Sequence, residues 1–398
     1  MKINVVDAIC GTGKSTALIN MINEDKTDTR YLYVTPFLTE VERVKISCYE
    51  KHFEEPLMVN GKNKLMDIKD LLLRGKNIIS THALFKKFTP EIIDLIKKKK
   101  YVLIMDEVID VIKIMEISKD DLKTISEKYT KLQKDGSLKW IADDYEGKFE
   151  IYKDIIQNNI AIASVDKRGN LHSIIQTLPI ELFEAFKDVY ILTYMFKYQV
   201  QKYYFDKNKV EYKYWYVKDF HLTEEPQTYN EKEIKDLIKI YDNEKLNLIG
   251  FKRTALSLTW FLRNKNSNEI KKLSNNIYNF FRNVANVSSK RTLWTTFKEA
   301  KNSLRKKGFS SGFVPMNMRA TNKYADRVAI AYIANRYLQP MIKNYFQENG
   351  IRVDDDGYAL SELIQFIFRS AIRNKREILI YLPSKRMRDL LQEWIDKK

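Results

Sequence analysis

Residues 3–16 read Ile3-Asn4-Val5-Val6-Asp7-Ala8-Ile9-Cys10-Gly11-Thr12-Gly13-Lys14-Ser15-Thr16, and the rest of the chain can be read outward from them. An apolar run with β-branched Ile3, Val5 and Val6 predicts a buried strand. A glycine-containing loop follows, and Lys14-Ser15-Thr16 open a helical pattern with apolar Ala17, Leu18, Met21 and Ile22. Strand, loop and helix in that order are what a phosphate-binding loop requires. Gly11 and Gly13 let backbone N–H groups turn toward an anion, and the unpaired N–H groups at the start of the helix point the same way. In such a loop Thr12 and Thr16 complete the cradle, Lys14 reaches the β- and γ-phosphates, and the Ser15 hydroxyl ligates Mg²⁺. Ala8 stands where the full pattern has a first glycine.

The bulk numbers set the frame. At 398 residues the chain is long enough for two domains, and 44% hydrophobic with 30% charged residues suits a globular protein. A formal net charge of +17 and a sequence pI near 9.4 point to a polyanionic partner, nucleic acid or a membrane surface. The excess is spread along the chain and interleaved with 24 Tyr and 20 Phe, a mixture that suits a groove tracking phosphates and stacking bases. Two cysteines, Cys10 and Cys48, exclude a disulfide framework and a four-cysteine zinc site. The chain enters its first strand at once, without signal-peptide architecture, and no apolar run approaches the roughly 18 residues that span a bilayer. A reducing, cytoplasmic compartment is the expectation.

Along the first half, residues 31–35 read as a second buried strand ended by Pro36, and 78–81 as a third, with His82 beginning the next helix. Pro90 opens a helix that ends in the lysine run 97–100, which complements the helix dipole. Residues 101–105 form the most apolar strand candidate, terminated by Asp106-Glu107. Carboxylates are seldom buried unless paired or metal-bound, so adjacent ones at a strand exit suit metal-assisted phosphoryl chemistry. Asp106 would hold Mg²⁺ and Glu107 would orient and polarise an attacking water. Alternating strands and helices predict a parallel sheet whose ligands gather at the carboxyl ends of its strands, where Lys14 and Asp106 both fall. Residues 113–185 read as a mainly helical, charged insertion with a weaker β-like patch around Ile160–Val165, and 189–193 resume the sheet. A polar, basic stretch within 197–225 sets the boundary, giving domains 1–205 and 206–398.

The second half repeats the alternation. Helices are predicted near 231–241, 254–263 and 268–284, with strands at 246–251 and 293–297. A shaped contact loop is expected over 313–324, then a long helix through Ala329, Ile333 and Tyr337, a strand at 378–382 and a last helix capped by Ser384. Helical spacing over 360–376 places Gln365, Arg369 and Arg373 at i, i+4 and i+8 on one face. Two arginines so fixed could reach a γ-phosphate and stabilise transition-state charge, worth roughly a thousand-fold or more in rate.

These residues resemble a known family. Ala8-x-x-Gly11-x-Gly13-Lys14-Ser15 is similar to motif I of superfamily-two DEAD/DEAH-type helicases, Thr35-Pro36 to motif Ia and Asp106-Glu107 to motif II. Ser80-Thr81-His82 occupies the place of the next strand-end nucleic-acid contact, and Leu192-Thr193-Tyr194 the place of motif III. Residues 317–322 resemble motif V, and Gln365, Arg369 and Arg373 resemble motif VI, with Arg373 one residue beyond the usual spacing. Leu360-Ser361-Glu362-Leu363 and 381–387 are similar to helicase-like proteins of bacteriophages and mobile elements. The resemblance implies two RecA-like parallel-sheet domains in tandem, with ATP and Mg²⁺ held by both. It implies a monomeric motor on single-stranded or partly duplex nucleic acid, DNA before RNA, in a bacterial host cytoplasm. Thr35, Pro36, Thr81, His82, Thr295, Asn317 and Thr321 would then touch the strand. Two other classes fit fewer residues: a packaging or ring ATPase, and a nucleic-acid-binding protein with a vestigial nucleotide site. Asp354-Asp355-Asp356, the one dense acidic run, reads as a solvated turn before Gly357 and not as a nuclease centre.

Overall fold

The computed structural model describes residues 2–58, 61, 63–165, 171–227, 229, 231–316 and 323–397. They form two compact units, one of Met1–Ala8, Thr12–Gln227 and Gln339–Val353, the other of Ile9–Gly11, Thr228–Leu338 and Asp354–Lys398.

In the first unit β1 (Lys2–Asp7), β2 (Tyr31–Thr35), β3 (Phe53–Glu54), β4 (Asn77–Thr81) and β5 (Val102–Asp106) come first in sequence. β2 is buried along its whole length and β5 over all but its last residue, the continuous apolar run of strands covered on both faces. Five short strands follow: β6 (Ile112–Ile114), β7 (Thr130–Leu132), β8 (Leu138–Trp140), β9 (Ile160–Val165) and β10 (Leu171–Thr177). β11 (Asp188–Thr193), β12 (Tyr212–Lys218) and β13 (His221–Thr223) then return to the main sheet, whose order is β13-β12-β1-β11-β5-β2-β4-β3. Every neighbouring pair is parallel except the β12–β13 hairpin. Helix Lys14–Glu24 buries Ala17, Leu18, Ile19 and Ile22 in the core that also holds Val6, Tyr33 and Ile104.

The insertion departs from its mainly helical reading. β6, β10 and β9 make an antiparallel sheet, and β7 and β8 a ribbon, alongside helices Lys119–Thr124 and Glu150–Asn158. β9 is the patch that reads as β in the sequence, whereas β6, β7 and β8, of three residues each, are too short to show alternation among so many charges. Their shared core of Leu122, Ile125, Trp140, Phe149 and Ile174 has Tyr129 stacked on Trp140 at 5.5 Å. β12 and β13 carry the first sheet beyond residue 205, so the boundary lies later than expected. Helix Pro340–Glu348 also belongs to this unit, with Phe346 against Tyr203 at 5.8 Å.

The second unit is built on a parallel sheet of order β14-β17-β16-β15, from β14 (Ile238–Tyr241), β15 (Thr292–Thr295), β16 (Ala329–Tyr332) and β17 (Ile378–Tyr381). Four expected elements differ. The helix near 231–241 stops at Asp236, and its remainder is β14. The strand expected at 246–251 is a turn of helix, Glu244–Asn247, capped by the Asn243 side chain, with Leu248 and Phe251 each 65% exposed. Gly250 is needed there, because a Cβ would lie 1.8 Å from the Pro383 carbonyl oxygen. The long helix through Ala329, Ile333 and Tyr337 is replaced by β16, in which every residue from 329 to 332 is buried. The apolar run 328–334 is continuous enough to suit a strand buried between two others, and Ala329 and Ile333 fall at helical spacing within it by coincidence.

The helix expected over 360–376 is Asp355–Ile367. Ser370 ends it by competing with the helical backbone: its hydroxyl donates to the Ile367 carbonyl and accepts from the Ile372 N–H, starting a separate turn, Ala371–Asn374. Gln365, Arg369 and Arg373 therefore do not share a helix face.

Candidate nucleotide site

The site is assembled at the carboxyl ends of β1, β11 and β5. β1 ends at Asp7, whose carboxylate accepts the Met195 N–H at 2.8 Å and the Phe196 N–H at 3.0 Å. Burial raises the pKa of Asp7, against those two bonds and the Lys14 charge. Gly11 (φ 92°) and Gly13 (φ 84°) are in the left-handed region that the loop demands, and Gly13 occupies the capping position of helix Lys14–Glu24. Lys14 Nζ donates to the Ala8 carbonyl at 2.5 Å, folding the ammonium back over the loop. Thr12 is half-buried, while Gly11 and Thr16 are exposed.

Ser15, the first residue after Lys14, points its hydroxyl at Asp106, Oγ to Oδ1 3.5 Å. The sheet brings them together: β5 lies two places from β1, with β11 between. Burial lifts the Asp106 pKa to about 7, helped by the nearby Glu107 and Glu40 carboxylates and opposed by Lys14 and Arg43. A hydroxyl and a carboxylate oxygen so placed suit Mg²⁺, a hard cation that takes few protein ligands beside phosphate and water oxygens. Among the described residues no cluster of three or more His, Cys, Asp or Glu side chains could hold a metal by itself.

Glu107 follows in a left-handed conformation, φ 68°, with its N–H bonded to the Leu192 carbonyl at 2.9 Å. That conformation is costly for a side chain with a Cβ, and such strain tends to collect at functional positions. Its Oε2 is buried and has no hydrogen-bond partner among the described residues, an acceptor left over for a further group. The turn beyond it is held by Gln201, whose Oε1 accepts the Ile109 N–H at 2.9 Å and whose amide nitrogen lies 3.7 Å from the Met105 sulfur. Sequence reasoning missed Gln201, because nothing in its own neighbourhood marks it as reaching residues 92 positions earlier.

The strand-contact candidates have mixed placements. Thr35 and Thr81 lie side by side at the ends of β2 and β4, with Pro36 half-buried next to Thr35. Thr35 is fully buried, so any contact there runs through backbone; the Thr81 hydroxyl caps the helix that follows by accepting the Leu84 N–H. His82 is buried, its Nε2 2.9 Å from the Asp106 carbonyl oxygen, which ties this position to the carboxylate strand. In the second unit Thr295 is buried at the end of β15. Asn317 and Thr321 lie outside the described residues. Gln365 is half-buried, and its amide nitrogen has no partner among the described residues. Arg369 is 4% exposed, donates to the Met316 carbonyl at 3.1 Å and lies over the Phe366 ring. Arg373 is exposed.

Over 415 aligned positions the chain is 37% identical to the SPbeta prophage-derived uncharacterized protein YonV of Bacillus subtilis (strain 168), an alignment covering all of this chain and 99% of that one. The chain belongs to the YonV family. Residues 232–395 match the model of the YonV C-terminal Rossmann-like domain; all of them but Gln339–Val353 belong to the second unit. The fold is also similar to two solved structures. One is described as XPD helicase (TM-score 0.50, 10% identity, 98% of this chain and 94% of that one). The other is described as XPD apo (TM-score 0.53, 10% identity, 98% and 95%). This YonV-family chain thus has two RecA-like parallel-sheet domains in tandem.

Proposed function

We propose that the chain is an ATP-dependent nucleic-acid motor, a helicase or translocase that works as a monomer on single-stranded or partly duplex nucleic acid, DNA before RNA. One observation carries the reading: Lys14, Ser15, Asp106 and Glu107, far apart in sequence, meet at one sheet end, and Glu107 keeps a buried carboxylate oxygen free. In this proposal residues 11–16 cradle the triphosphate and Lys14 exchanges its bond to the Ala8 carbonyl for phosphate oxygens. Ser15 and Asp106 would hold Mg²⁺, which neutralises phosphate charge when bound. Glu107 accepts a proton from the attacking water and orients it. Gln365, Arg369 and Arg373 keep their expected place in stabilising charge during transfer; Arg373 is the one whose guanidinium is exposed.

The net charge of +17 supports a polyanionic track, and the prophage origin named for the Bacillus relative supports a role in phage replication or recombination inside a bacterial cytoplasm. The test is ATP turnover with and without single-stranded DNA, duplex DNA and RNA, for wild type and Glu107→Gln. Stimulation by single-stranded DNA in the wild type, lost in the variant, is expected. Binding of DNA with no Glu107-dependent turnover would instead make this a nucleic-acid-binding protein with an idle nucleotide site.

A further inference from the structure

The β12–β13 hairpin turns on two residues, Asp219 and Phe220, between the paired Lys218 and His221. Both are left-handed, φ 50° and φ 60°, the geometry of a two-residue turn that ordinarily selects Asn-Gly. A phenylalanine there is costly, and the ring is also 56% exposed, so neither local propensity nor burial explains it. The hairpin is nevertheless pinned down. Asn20 Nδ2 donates to the Phe220 carbonyl at 3.1 Å, His221 Nε2 lies 3.2 Å from Glu24 Oε1, and Val217 and Leu222 pack into the sheet core. Those anchors set the ring against the phosphate loop itself: a Cβ on Gly13 would come within 2.6 Å of Phe220 Cδ1.

The sheet order says which part of a nucleotide would meet this ring. Asp106 ends β5 and Glu107 follows it, to one side of β1 beyond β11; β12 and β13 lie on the other side. A triphosphate in the loop with its γ end toward Asp106 leads its nucleoside away from β5, toward the hairpin. We propose that Phe220 is the stacking platform for the nucleobase of the bound nucleotide, a deepening that rests on the nucleotide-site reading above. The exposed ring face is apolar and carries no hydrogen-bonding edge. Recognition is therefore by stacking area, and purine nucleotides bind more tightly than pyrimidine ones with little choice between adenine and guanine.

The experiment is isothermal titration of the full chain with MgADP, MgGDP, MgCDP and Mg-pyrophosphate, for wild type, Phe220→Leu and Phe220→Trp. Pyrophosphate engages the loop without a base. Phe220→Leu should weaken ADP and GDP by about tenfold, narrow their lead over CDP, and leave pyrophosphate as in the wild type; Phe220→Trp should restore purine affinity. Unchanged ADP affinity in Phe220→Leu overturns the proposal. So does an equal loss for ADP and pyrophosphate, which would make Phe220 only a support for Gly13. If the wild type binds neither ligand, the nucleotide site itself is absent and the platform goes with it.

Discussion

The carboxyl end of the first sheet and the segment 365–373 of the second unit were read from the same kind of signal, charged residues at suggestive spacings, and they came out differently. In the first unit, Ser15 and Asp106 stand 91 positions apart yet face each other at 3.5 Å. In the second, Arg369 and Arg373 are four residues apart, yet one is buried against Met316 and Phe366 while the other is exposed. Strand-end motifs are positioned by sheet order, which a run of buried parallel strands fixes with little freedom. A helix-face motif holds only as far as the helix does, and one serine hydroxyl ended this one.

The variant pair Arg369→Ala and Arg373→Ala tests that difference most severely. If both guanidinium groups stabilise charge in phosphoryl transfer, each loses roughly a thousand-fold in turnover. Stability separates them: Arg369→Ala removes a buried hydrogen-bonded group and should cost about 1–3 kcal/mol, whereas Arg373→Ala should stay within about 0.5 kcal/mol of wild type. Chemical denaturation beside steady-state turnover reads both. Full activity in Arg373→Ala would leave the second unit without a catalytic arginine at this position.

Glu107→Gln comes next. It should lower turnover by about a hundred- to a thousand-fold while leaving nucleotide affinity near wild type, because the carboxylate is needed for the proton and not for the phosphate. A parallel loss of ADP affinity would instead give Glu107 a role in shaping the loop.

How much of this was legible beforehand follows the same division. The strand, glycine turn and helix over 2–24, the apolar strand that ends in Asp106 and the parallel sheet are all readable, because strand, loop and helix each carry their own periodicity and the glycines mark the turn. The helical spacing of Ala329, Ile333 and Tyr337 misleads at β16, because the apolar run 328–334 fits a buried strand equally well and only the two flanking strands settle which period applies. In the insertion, β6, β7 and β8 have three residues each and are too short to announce themselves, whereas β9, at six residues, leaves a β-like patch. Gln201 and Phe220 were invisible for another reason: each acts on a partner that only the folded sheet brings near.

The smallest effect concerns the electrostatic character of the first site. Arg336, in the second unit, is a half-buried charge with partners of opposite or complementary polarity, 2.8 Å from the Tyr358 hydroxyl and 3.7 Å from Glu362. Asp106 is a buried carboxyl whose burial outweighs the attraction of Lys14 and Arg43, so its pKa stands at about 7 against an unfolded value of 3.8. Between those two pH values the folded protein keeps a proton that the unfolded chain has released, and stability therefore falls as pH rises through that window. Asn at this position carries no such penalty. Asp106→Asn should melt close to wild type near pH 4 and progressively above it up to pH 8, by a few degrees, at roughly 2–4 °C for each kcal/mol relieved. The opposite trend, a variant that loses ground as pH rises, would mean that Lys14 and Arg43 hold Asp106 ionised. The first site would then balance its own charges, with no unfavourable charge left for a bound cation to relieve.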